Sequence, residues 1–406
     1  MTDAARPEDA GGEAGPRPFD FLNPPQVFGR TEVEGQLAVA PLFTSVTIRD
    51  CGLAGLEMRS VLFDKVVFEQ VDFAGVEMSA AVFGSCTFGN CRFGKASLLS
   101  LSFSGCTFEG CDFRACLLEV ATFAKCGFRG CSFDGTRFKV DVLTECSFAD
   151  CSFRAADQWC SVWKDCGLEG QSWAGTTLYC TILSKGKLAG LDLERAALER
   201  CIVQEADMRP VRLGGTRLKT VAFQKCDFRA MDFAGRELEQ VQFLECDMKG
   251  IELSGARMPN CGFAKSDLSG ARLEKAAALS CSFAGAVLTG AELGGIQAPQ
   301  ASFAGAEMAE VRAKGANLQT AFLEGARAQR ANLSGADLRH ALMANADVSG
   351  ADLRRADFTW ADHHRLIAED AKWDGAQMKG VRATNEDRQQ AETFLPAAAL
   401  KPAKAG

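Results

Sequence analysis

The chain has 406 residues, 47% of them hydrophobic and 24% charged, with a formal net charge of −7. That balance excludes a disordered, charge-dominated chain and a strongly basic nucleic-acid binder. No uninterrupted apolar run approaches the roughly 18 residues that a membrane-spanning helix needs.

Residues 1–30 read as a mobile acidic leader. The start, MTDAARPEDAGGEAGPRPFD, is polar and rich in Pro and Gly, with no basic segment followed by an apolar one as in a secretory signal. The expectation is therefore a cytoplasmic protein. One sticky piece, FDFLNPPQVF, carries Phe19, Phe21 and Phe28. Two readings stand for it: docking onto the first structural coil to blunt an open sheet edge, or a peptide that binds a partner.

From Phe43 to Ala383 an apolar residue recurs every five positions. Of the 69 lattice sites only Gln158 and His363 are polar, and 24 of the 29 Phe residues fall on the lattice. Five is neither the helical period nor that of a simple strand, and fixed-period self-similarity marks a repeat solenoid. A twenty-residue period sits inside the short one. Phe63, Phe68 and Phe73 are followed by Phe83, Phe88 and Phe93, then by Phe103, Phe108 and Phe113. Two residues before each lattice site lies a small-residue position, where Cys86, Cys106, Cys126, Cys146 and Cys166 form one column and Cys91, Cys111, Cys131 and Cys151 the next. Sixteen of the 18 cysteines take this position, Cys160 and Cys180 being the exceptions. Buried free thiols pack as small hydrophobes, so reduced packing thiols are expected rather than disulfides or a metal framework. An outer column, from Lys125, Glu145 and Asp165 to Lys225 and Glu245, nearly alternates in sign at the same spacing. Residues 31–383 thus predict about seventeen four-sided coils, near 80 Å long at ~4.8 Å per coil.

Here the chain resembles the pentapeptide-repeat family. ANLSGADLRHALMANADVSGADLRRADF at 331–358 is similar to the family's A(D/N)LxG pattern, and CTFEGCDFRACLLEVATFAKCGFRGCSFDG at 106–135 to its Cys/Phe variant. The resemblance implies an all-β fold, a right-handed quadrilateral β-helix solenoid. It implies little about function, because the family is defined by architecture.

Within the solenoid, residues 159–179 hold three of the five Trp and the only Tyr. Trp159 and Tyr179 are twenty apart and one step past a lattice site, so they should stack on one outer face, with Lys139 one coil earlier and over the Trp ring. Two readings remain open: a partner contact built on exposed aromatics, or a shield over a coil widened by Trp163 and Trp173. His363, His364 and Asp362, ahead of Glu369 and Asp370, form the one metal-like cluster; a locally distorted or looped coil is the default reading. Residues 384–406 predict a short helix capped by Asn385, with Phe394 and Leu395 covering the last coil or making an oligomer contact. A monomer is favoured over a C-terminal homodimer, the mode by which topoisomerase-protecting relatives assemble.

No nucleophile–base set, phosphate loop or roomy cleft is recognisable, so no catalytic residue, cofactor or metal is assigned. The expected role is a non-catalytic interaction scaffold that binds a protein partner, without direct nucleic-acid or membrane binding. From the resemblance alone, it could be an accessory part of a bacterial secretion system, such as type VI, or of an effector system. The alternative is a DNA mimic acting on gyrase or topoisomerase IV, as in quinolone-resistance relatives. Charge opposes that alternative. An 80 Å stretch of duplex carries roughly 47 negative charges, and the acidic column Asp207, Asp227, Asp247 and Asp267 is flanked by Arg209, Arg229 and Lys249.

Overall fold

A computed structural model describes residues 26–393. Its strands pair in parallel at a constant offset of twenty, from Val27↔Thr47 onward, so each coil stacks on the next. Four faces run along the resulting solenoid. Face 1, with lattice residues 43, 63, 83 and so on, is an eleven-stranded sheet; face 2 (48, 68, 88) is seven-stranded and face 4 (58, 78, 98) ten-stranded. Face 3 (53, 73, 93) is joined by single bridges such as Gly52↔Asp72.

The lattice side chains point inward and are buried from Phe43 to His363; on the last coil Ala368 and Trp373 are half-buried and Met378 is exposed. Phe68, Phe88, Phe108, Phe128 and Phe148 stack with centroids 4.5–4.8 Å apart and planes within 7° of parallel. Neighbouring columns meet edge to face, as Phe63 does with Phe68 at 5.3 Å. Both are favourable ring arrangements, so the core gains more than its apolar area alone supplies. The inward thiols donate to carbonyls of the preceding coil: Cys106 Sγ to the Phe83 oxygen at 3.4 Å, Cys146 Sγ to that of Phe123 at 3.4 Å.

Every fifth residue turns a corner in the left-handed region, from Ser45 to Gly380, with Pro210 the exception among the positions between. The proline ring holds φ near −65° and cannot follow. Even Val120 and Val140 adopt φ of 59° and 61°, a costly conformation for a β-branched residue, sustained by the ladder on both sides.

Where seventeen coils are expected, the longest sheet counts eleven strands and ends at Leu244. Beyond it the twenty-residue register continues as single bridges to Asp362↔Arg382. The residue before each lattice site contributes without deciding alone, since Val287, Phe322 and Leu342 form single bridges and Asp157 lies in a strand. On strand-forming faces it is often β-branched or apolar, as in Val67, Val82, Thr87 and Thr107. On bridge-forming faces it is often Asp or Asn, whose side chain accepts the backbone N–H two residues on: Asp112 from Arg114 (2.9 Å), Asp347 from Ser349 (2.9 Å), Asn332 from Ser334 (3.1 Å). Such an Asx turn closes the pentapeptide locally and leaves a single bridge in place of a strand.

The ends depart from the expected boundaries. Residues 30–39, placed mostly in the solenoid from 31 onward, form helix α1 (Arg30–Val39). Its Val33 is buried, and the Arg30 guanidinium donates to the Gly52 and Ala54 carbonyls at 2.9 and 3.0 Å. Phe28, in strand β1 (Val27–Phe28), pairs with Ile48 and meets the Phe43 ring edge-on at 6.1 Å. Phe19 and Phe21 lie outside the described residues, as do Phe394 and Leu395. At the other end α2 (Glu386–Thr393) starts after Asn385, whose Oδ1 accepts the Arg388 N–H at 2.8 Å.

Candidate functional site: the aromatic face at Trp159 and Tyr179

Face 4 brings Trp159 and Tyr179 into register. Their rings lie 4.6 Å apart at 31°, and Trp159 is 52% exposed although the adjacent Gln158 is buried. The pair borders a hollow of about 550 Å³ whose floor and walls include Leu117, Phe138, Gln158 and Thr177, with Glu119, Arg137 and Asp157 at its rim.

Lys139 does not lie over Trp159. Its ammonium reaches back one coil to Glu119, at 2.6 Å, because a carboxylate on the adjacent rung is a better partner than a ring face. The cation on the aromatic pair is Arg200, one coil beyond. Its guanidinium sits 5.8 Å from the Tyr179 centroid and donates to the Tyr179 hydroxyl at 3.2 Å. Register alone could have found it, since Arg200 and Tyr179 are neighbours across one coil.

Beneath the pair the core is irregular. Gln158 is buried; its Oε1 accepts from Trp163 Nε1 at 3.2 Å, whereas its Nε2 and the Trp173 Nε1 have no protein partner. Trp163 and Trp173 meet at 5.0 Å, 66° apart. Both readings of this stretch thus have a physical basis: exposed aromatics outside and a widened, polar coil inside.

Three inward positions carry side chains that a reading of composition overlooks. Asp141 is buried and accepts the N–H groups of Ala121 (2.6 Å) and Lys139 (2.7 Å). Burial pushes its carboxyl up to about 7 against the pull of those two hydrogen bonds. Gln171 serves the Cys151 N–H in the same way, at 3.0 Å. Arg236 replaces a small residue and lies 4.9 Å over the Phe233 ring while donating to the Thr216 carbonyl at 2.9 Å. It borders a hollow of about 880 Å³, where Lys219 and Glu239 pair at 3.2 Å. The signal for all three was available: a polar residue two before a lattice site.

The cluster around His363 is not a loop. His363 stays on the inward lattice, its N–H bonded to the Arg382 carbonyl at 2.8 Å and its ring edge-on to Phe358 at 5.1 Å. Burial lowers its pKa, against the opposing pull of Asp362. His364 is buried too, and its Nδ1 accepts the Asn385 N–H at 3.2 Å, tying the last regular coil to α2. Among the described residues no three His, Cys, Asp or Glu side chains come together as metal ligands, and no helix is long and apolar enough to cross a membrane.

The acidic column of face 2 is laced with cations. Arg209 bonds Asp207 at 2.7 Å and Asp227 at 3.1 Å; Arg229 bonds Asp227 at 2.7 Å; Lys249 spans Asp247 and Asp267 at 3.5 and 3.0 Å.

Family models decide the kinship. The model described as pentapeptide repeats (8 copies) matches residues 77–114, 102–139, 237–274, 266–303, 281–319 and 331–362, and a pentapeptide repeat region matches 176–253. Together they cover more than half of the chain. The chain belongs to the pentapeptide repeat family. Among solved structures, this pentapeptide repeat protein is similar to HetL, involved in heterocyst differentiation regulation in the cyanobacterium Nostoc sp. strain PCC 7120. The two are 26% identical over 51% of this chain and 88% of HetL, with a TM-score of 0.27. It is similar to QnrB1, a plasmid-mediated fluoroquinolone resistance protein, at 20% identity over 43% of this chain and 92% of that one, TM-score 0.26. It is also similar to Rfr23 of the cyanobacterium Cyanothece 51142, at 21% identity over 37% and 89%, TM-score 0.12. No curated protein sequence matches it.

Proposed function

We propose that this pentapeptide repeat protein is a non-catalytic interaction scaffold that engages a protein partner through the aromatic part of face 4. The observation that carries the reading is the Trp159–Tyr179 pair, half exposed beside an apolar hollow on face 4. Trp and Tyr anchor contacts well because they bring large area with few rotatable bonds and a polar tip, and here Arg200 bonds the Tyr179 hydroxyl. The tube supports the reading from within: its inward positions are filled by side chains, which leaves the outer faces to act.

Membership in a secretion or effector assembly is carried by the family resemblance alone, and the partner's identity tests it. The decisive experiment compares capture of proteins from the native host by the wild-type chain, by Trp159→Ala with Tyr179→Ala, and by a control pair on the opposite face, Glu109→Ala with Arg129→Ala. Loss of a partner with the aromatic double variant only, at unchanged circular dichroism, is the expected result. Equal recovery by all three removes the aromatic face from consideration.

A further inference from the structure

Cys160 and Cys180 are the two cysteines outside the inward columns, and both are half-buried at the surface. Each occupies the corner of its pentapeptide, with φ of 52° and 51°, immediately after Trp159 and Tyr179 on the edge between faces 4 and 1. Because Trp159 and Tyr179 are register partners, the two corners stack on adjacent coils, about 4.8 Å apart. The ladder holds them there: the Cys160 N–H donates to the Tyr179 carbonyl at 2.8 Å and the Cys180 N–H to that of Glu199 at 3.0 Å. Disulfides bridge Cα atoms about 4.4–6.8 Å apart, with Cβ atoms near 3.8 Å. Closing the pair therefore asks for a movement of about 1 Å at an exposed corner.

The inward thiols share the same spacing but differ in two respects. They sit in the packed core, and their Sγ atoms are engaged with carbonyls, as for Cys106 and Cys126. Among the described residues neither corner thiol makes such a carbonyl bond. The next residue of the corner column is Arg200, so Cys180 stands between a thiol and a residue bearing a guanidinium. Partly exposed thiols are open to oxidants in a way that the packed inward thiols are not.

We propose that Cys160 and Cys180 form a reversible disulfide staple, closed by peroxide-class oxidants, across the two coils that carry the Trp159–Tyr179 pair. The Cys180 thiolate attacks one peroxide oxygen, breaking the O–O bond; the sulfur becomes a sulfenic acid and hydroxide leaves, taking up the thiol's proton as water. The Cys160 sulfur then attacks the sulfenic sulfur, the S–O bond breaks, the S–S bond forms and a second water leaves with the Cys160 proton. The peroxide gains two electrons and the two thiols lose them. The staple ties the coils at which Gln158 interrupts the apolar column and stacks on Leu178. This inference stands whether or not the aromatic pair is a docking face.

The test uses the full native chain, pulsed with hydrogen peroxide, quenched with N-ethylmaleimide and digested with trypsin. Cleavage after Arg154, Lys164 and Lys185 places Cys160 on one peptide and Cys180, with Cys166, on the next. The expected product is a cross-linked peptide pair, assigned by fragmentation to Cys160–Cys180 and reversed by dithiothreitol. It should disappear in Cys160→Ser and in Cys180→Ser and persist in Cys166→Ala. A linkage through Cys166, chains joined to one another on a non-reducing gel, or corner thiols still alkylated after peroxide would each overturn the proposal. So would sulfinic acid at either corner without any cross-link.

Discussion

Replacing Asp141 by Asn should abolish a pH dependence of stability that runs opposite to the usual acid denaturation. The Asp141 carboxyl titrates near 4 in an unfolded chain and at about 7 in the fold, where burial is the dominant cause and the Ala121 and Lys139 N–H groups oppose it. The folded state therefore binds more protons than the unfolded state between those values. For that group, stability is greatest below about pH 4, falls as pH rises to about 7 and is flat above. A difference of about three units at 1.36 kcal/mol each amounts to about 4 kcal/mol. Urea unfolding at a series of pH values from 4 to 8, for wild type and Asp141→Asn, isolates the contribution because all other titrating groups are common to both. The Asn variant carries a constant offset, since its amide oxygen serves one of the two N–H groups. The gap between the curves should change by about 4 kcal/mol across the series, in favour of the wild type at low pH. Parallel curves would refute the assignment of a buried carboxyl that prefers to be protonated.

Four further outcomes are expected. Phe108→Ala, which opens a gap between Phe88 and Phe128 at 4.5 and 4.6 Å, should cost about 3–5 kcal/mol by urea unfolding. Val140→Gly should raise the free energy of unfolding, by up to about 1 kcal/mol in urea titration, because a β-branched residue at φ 61° is relieved of its clash. Acidification through the His range should loosen the C-terminal coil first: His363 is held neutral by burial, so that end loses stability as pH falls below about 6.5. Amide protection at residues 358–382, taken relative to the intrinsic exchange rate at each pH, should fall before that at 100–150, and in His363→Leu it should hold constant through the His range. Finally, the chain should leave gyrase supercoiling unchanged at stoichiometric concentration; inhibition, or rescue from a quinolone, would favour the DNA-mimic reading.

The lattice made the tube legible because a five-residue rule that fails only at Gln158 and His363 constrains the path of nearly every coil. The same arithmetic placed Trp159 over Tyr179 and Lys125 beside Glu145, which pair at 4.0 Å. What escaped were choices among partners at equal spacing. Lys139 has Glu119 on one side and Trp159 on the other, and a repeat period cannot say which the ammonium prefers. Strand or bridge was a second such choice: Asx turns such as those at Asp112 and Asp347 accompany bridges, yet Phe322 and Leu342 form bridges without them and Asp157 lies in a strand. Helix α1 escaped for another reason. It lies ahead of the first regular lattice residue, where Arg30 and Val33 cover the open first coil by contacts that no period records.

The same lacing of charges bears on function. Arg209 and Lys249 each bridge carboxylates on two successive coils, and Arg339 bonds Asp337 at 2.6 Å on face 4. These cations hold carboxyls such as Asp207 and Asp337 below their ordinary range; Arg354 brings Asp352 down to about 2. Exposed pairs of this kind add little stability individually. Their larger effect is on the field: a carboxylate with a guanidinium at hydrogen-bond distance presents a dipole to a distant surface, where a phosphate backbone presents a line of charge. A protein that recognises duplex by that line finds little to hold on these faces. A partner that reads shape and aromatic area finds the stack at Trp159, and the two kinds of recognition respond oppositely to salt. Capture that survives rising ionic strength points to the aromatic face, whereas capture lost in proportion to the logarithm of salt concentration points to the acidic column.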